Sequence, residues 1–74
     1  MTSQPHTQSQ GSHFFVLTVE KPGLASATSS GSYTPPPGAT RLDAFNALYK
    51  NVTGSAPTLD RANVVFFSLE PNQI

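Results

Sequence analysis

Two stretches of the chain are almost continuously apolar, and each is closed by a proline. His13-Phe14-Phe15-Val16-Leu17-Thr18-Val19-Glu20 stops at Lys21-Pro22-Gly23, and Asn63-Val64-Val65-Phe66-Phe67-Ser68-Leu69-Glu70 stops at Pro71-Asn72. Runs rich in β-branched and aromatic residues, bounded by turn formers, predict strands. Residues 24–34 alternate more weakly and are built mostly from Ser, Thr, Ala and Gly, with Ala25, Ala27 and Tyr33 as the larger or apolar members. Such a stretch pairs as an edge strand but packs little, and Pro22-Gly23 supplies a tight connection to the strand before it.

Pro35-Pro36-Pro37-Gly38 breaks this pattern. Consecutive prolines fix φ and remove hydrogen-bond donors, which predicts an extended connector. Thr40 and Asp43 then have the spacing of a capping box, in which each side chain accepts from the other's backbone N–H. Leu42, Phe45, Leu48, Tyr49 and Val52 recur at helical spacing, and Gly54 is placed to end the helix in the left-handed conformation. These signals predict a helix over residues 41–53. Residues 55–61 leave room for one further turn, with Leu59 directed to the core.

The order is β-β-α-β, and the fold class is α+β. A hairpin followed by a right-handed crossover leaves the third strand parallel to the second, and burial favours placing it beside the apolar first strand. The expectation is a three-stranded antiparallel sheet of order 2-1-3, the apolar first strand central, with one helix on one face. Residues 1–12, MTSQPHTQSQGS, offer almost nothing to bury, so the reading assigns them to a disordered N-terminal tail before a single domain at 13–74.

One helix shields one face of a sheet. Alternation sends Phe15, Leu17 and Val19 to one side of the first strand, and Val65, Phe67 and Leu69 to the same side of the last. With Leu42, Phe45, Leu48, Tyr49 and Val52 they make the expected core. The opposite side then carries Phe14, Val16, Val64 and Phe66. A half-solvated antiparallel sheet alternates apolar with polar residues, and contiguous exposed apolar patches mark interfaces. These four residues are therefore the candidate surface for self-association or partner binding.

Composition sharpens that reading. The chain has 74 residues, no cysteine, two histidines and a formal charge of zero, with 11% charged residues. A domain this small has a thin stability margin, and neither disulfides nor a zinc cluster is on offer to widen it. Packing, self-association or a partner must supply the rest. Lys21, Arg41, Lys50 and Arg61 are scattered and matched by acidic residues, which argues against nucleic acid held through its phosphates. The first twelve residues lack the apolar core of a secretory signal, and no apolar run approaches the roughly 18 residues of a bilayer span. A cytoplasmic protein without membrane attachment is the expectation.

Chemistry finds little footing. Glu20, Asp43, Asp60 and Glu70 fall at element ends, where capping and strand termination explain them, and acid–base catalysis needs titratable groups that converge. His6 lies in the tail and His13 at the mouth of the first strand. No glycine pattern resembles a phosphate loop, and the sequon Asn51-Val52-Thr53 falls inside the helix. No motif identifies a family, and no cofactor is implied. The sequence predicts a non-enzymatic protein-interaction module that forms a dimer or docks a protein partner through its apolar sheet face. Two alternatives stand beside it: a single-stranded nucleic-acid binder using the sheet-face aromatics, and a small ligand carrier or enzyme whose site forms at an oligomer interface.

Overall fold

The computed structural model describes residues 10–74; the greater part of the expected tail, residues 1–9, lies outside the described residues. The elements run β1 (His13–Lys21), β2 (Ala25–Tyr33), α1 (Arg41–Thr53), a 3-10 turn at Pro57–Leu59, and β3 (Asn63–Pro71). The sheet has the order β2-β1-β3, and both pairings with β1 are antiparallel. The richest strand is thus central. The α+β fold is the one the pattern predicts.

Local chemistry sets the joints. Between β1 and β2 the Leu24 N–H donates to the Lys21 carbonyl at 2.9 Å. Gly23, at φ 78°, takes the conformation that the third residue of such a turn requires after a proline. The connector after β2 is not extended throughout, as three prolines suggested. The Ala39 N–H donates to the Pro36 carbonyl at 3.0 Å, and Gly38 stands at φ 83°. The glycine thus closes a second turn of the same kind and aims the chain into the helix.

The capping box is present: the Asp43 N–H donates to Thr40 Oγ1 at 3.1 Å and the Thr40 N–H to Asp43 Oδ2 at 3.1 Å. Gly54 ends the helix differently from the expectation. It is right-handed, at φ −74°, and a Cβ there would lie 2.8 Å from the Lys50 carbonyl oxygen, so close approach and not handedness calls for glycine.

The core comprises Phe15, Leu17 and Val19 of β1, Ala44, Leu48 and Val52 of α1, and Leu59, Ala62 and Leu69. Phe45, Tyr49 and Phe67 pack against it, partly buried. Two expected core members are absent. Leu42 is 66% exposed, because at 3.6 residues per turn it stands about 160° around the helix from Ala44. Val65 is 58% exposed, because β3 carries an extra residue there. The register runs Thr18 to Phe66 and then Val19 to Val64, a β-bulge that leaves Val65 without a counterpart.

Three contacts fasten the helix to the β3 side of the sheet. Tyr49 donates its hydroxyl to the Ala62 carbonyl at 2.6 Å. Arg41 Nη1 donates to the Leu69 carbonyl at 2.8 Å. The Phe45 and Phe67 rings meet edge to face with centroids 5.0 Å apart.

Residues 10–12, read as the end of the tail, are built into the sheet end. The Asn72 N–H donates to the Ser12 carbonyl at 2.9 Å, and Asn72 Nδ2 to the Gly11 carbonyl at 3.0 Å. The N–H groups of Gly11 and Ser12 donate to the Ser32 and Thr34 hydroxyls. A terminus of Gln, Gly and Ser carries no apolar signal, so its anchoring by backbone and hydroxyl groups was not legible.

Candidate functional site

The sheet side opposite the helix follows from the register, since residues paired across antiparallel strands share a face. Phe14 pairs with Ser32 and Glu70, Val16 with Ser30 and Ser68, and Thr18 with Thr28 and Phe66. Val16 follows Phe14 along β1, and Phe66 is its diagonal neighbour on β3, roughly 7–8 Å away in such a sheet. Phe14 is 43% and Phe66 54% exposed, and Val16 is half-buried. The three form an oblique apolar stripe.

Val64 is not part of it. The bulge sets Val64 across from Val19, whose side chain is buried beneath the helix, so Val64 belongs to the helix side of the sheet margin. Of the four candidate surface residues, the fold brings three together. A sequence gives no sign of a bulge without glycine at the site, and uninterrupted alternation was the natural reading.

Around the stripe the surface is hydroxylic. Thr18, Thr28, Ser30, Ser32 and Ser68 flank it, and Thr18 Oγ1 and Thr28 Oγ1 lie 2.9 Å apart in a hydrogen bond. Glu20 pairs with Asn63 and Glu70 with Phe14, so these two carboxylates stand at opposite ends of the sheet. No lysine or arginine occupies the outer positions of the three strands.

Among the described residues, the other clefts gather no reactive set. An open cleft of about 290 Å³ at the start of α1 is lined by Ser12, His13, Pro35, Thr40, Arg41 and Leu69 among others. Three of its polar side chains each hydrogen-bond within the protein. His13 Nδ1 is 2.8 Å from Ser12 Oγ, Arg41 holds the Leu69 carbonyl, and Thr40 is committed to the capping box. Among the described residues there is no group of three His, Cys, Asp or Glu side chains able to hold a metal ion. Among them, too, no helix is long and apolar enough to cross a membrane. No family model, curated protein or solved structure matches this chain.

Proposed function

We propose that this chain is a non-enzymatic interaction module that contacts a protein surface through the outer face of its sheet. The observation that carries the reading is the stripe Phe14-Val16-Phe66, half exposed on the face that the helix leaves open. Aromatic anchors ringed by small polar groups have the anatomy of an interface centre with its rim.

The magnitude says what kind of contact to expect. Each phenylalanine still exposes on the order of 100 Å², so covering both contributes roughly 5 kcal/mol at about 25 cal/mol per Å². Association costs roughly 4–15 kcal/mol in lost freedom alone. The stripe therefore drives a weak contact by itself and a firm one only where the partner adds area. The nucleic-acid reading has aromatics in its favour, but without basic residues beside them the phosphates have no counter-charge.

The test compares the wild-type chain with Phe66→Glu for average mass across concentration and for solubility limit. The wild type should show the larger mass and the lower solubility, with little change as salt is raised, because apolar contact is not screened. Identical masses and solubilities for the two chains would sink the proposal.

A further inference from the structure

The two edges of the sheet differ in how they are protected. β3 has the features that keep an edge from pairing with another chain: a bulge at Val65, an arginine side chain on the Leu69 carbonyl, and a proline at its end. β2 has none. It runs nine residues, ASATSSGSY, in unbroken register with β1 from Ala25 to Tyr33. It contains no proline, no charged side chain and no bulge. Among the described residues no hydrogen bond reaches its backbone from outside the sheet. Its outward N–H and C=O groups are a template for one more strand.

The helix leaves this edge open from above. Its Phe45, Tyr49 and Arg41 reach toward the β3 side of the sheet. Along β2 an open groove of about 350 Å³ remains, lined by Ala27, Ser29, Asn51, Val52 and Ser55. Ala25, Ala27 and Tyr33 of the same strand are only partly buried.

We infer that β2 is a dimerisation edge, pairing antiparallel with the β2 of a second copy to make one six-stranded sheet. The strand's own composition selects that occupant. Antiparallel self-pairing brings equivalent residues together about a two-fold axis, and most edge strands resist it by opposing like charges. Here the axis falls at Ser29. Thr28 of one copy faces Ser30 of the other, Ala27 faces Gly31, and Ala25 faces Tyr33. Hydroxyls meet hydroxyls, as Thr18 and Thr28 already do within one copy, and the bulky ring meets a methyl group. The chain's formal charge of zero removes long-range repulsion between copies. A two-fold perpendicular to the sheet keeps both helices on one side and both outer stripes on the other. The two surfaces are therefore separate.

The experiment is sedimentation of the full chain in the Phe66→Glu background, which disables the outer stripe, from about 10 μM to about 1 mM, the span of weak association. The mass should climb toward twice 7.9 kDa. Adding Thr28→Lys and Ser30→Lys, which oppose lysines across the axis, should raise the dissociation constant by at least about tenfold. In the Phe66→Glu chain itself, β2 amides should exchange more slowly with rising concentration, at alternate residues whose N–H groups point outward. That measurement decides the matter even if the lysine variant fails to fold. A Phe66→Glu chain that stays monomeric throughout, or β2 exchange that ignores concentration, would overturn the inference. The outer-face proposal would be untouched, since it depends on the difference between wild type and Phe66→Glu.

Discussion

Val64, and not Val65, stands across the ladder from Val19. That one relationship takes Val65 out of the position facing the core. Val65, the extra residue of the bulge, is largely exposed, so Val65→Lys should cost less than about 0.5 kcal/mol, as surface substitutions do. Phe67→Lys, two positions on, removes a ring packed at 5.0 Å on Phe45 and puts a charge in its place; it should cost at least about 3 kcal/mol. Urea unfolding of the two variants checks the register. If β3 continued without a bulge, Val65 would be a core residue and both substitutions would be comparably severe.

Gly11 is wedged against the neighbouring strand. A Cβ on it would lie 2.5 Å from the Tyr33 nitrogen, with backbone and not a side chain in the way. Gly11→Ala should therefore displace the segment and cost about 1–3 kcal/mol, the range for forced overpacking. By the same argument, a chain starting at residue 13 should melt several degrees below one starting at residue 10, since about 1 kcal/mol shifts Tm by roughly 4–8 °C in so small a domain. Equal melting temperatures would show that the hydrogen bonds to Ser32, Thr34 and Asn72 add nothing.

How far the sequence could be read follows from which residues carry long-range signals. Strand order came from apolar content alone, since placing Phe15, Leu17 and Val19 in the centre buries the most surface. The helix came from Thr40, Asp43 and the periodicity through Val52. Leu59 came from the room for one further turn in residues 55–61. Ala44 and Ala62 escaped, because an alanine looks the same in a core as on a surface. The bulge escaped too, because Asn63-Val64-Val65-Phe66-Phe67 is apolar at every step and fits either register. For the same reason Val64 was grouped with Phe14, Val16 and Phe66. The unprotected edge of β2 was legible only as a lack of charge, and its meaning depends on β3 being the guarded side.

Thr40 holds the helix start with its hydroxyl 3.1 Å from the Asp43 nitrogen. Thr40→Ala should destabilise by about 0.5–2 kcal/mol, and Thr40→Ser should recover most of that, since it restores the acceptor. Asp43→Ala removes the reciprocal half of the box and should cost less than Thr40→Ala. Thermal unfolding followed by circular dichroism measures all three. A Thr40→Ser variant no better than Thr40→Ala would mean that the methyl group and not the hydroxyl matters.

Tyr49 offers the sharpest test of how α1 is fixed toward β3. Its hydroxyl donates to the Ala62 carbonyl at 2.6 Å, and Ala62 is buried, so water has poor access to that oxygen once the donor is gone. Tyr49→Phe keeps the ring, which stacks on Phe45 at 5.8 Å, and deletes only the hydrogen bond. Leaving a buried acceptor unpaired costs about 1–3 kcal/mol. The Phe45–Phe67 pair makes an independent attachment, worth about 0.5–1.5 kcal/mol beyond its area in a double-mutant cycle to leucine. If both attachments hold the helix as one rigid body, Tyr49→Phe should also reduce the Phe45–Phe67 coupling energy. If the cycle gives the same coupling with and without the tyrosine hydroxyl, the two contacts act separately, and α1 is held locally at each point.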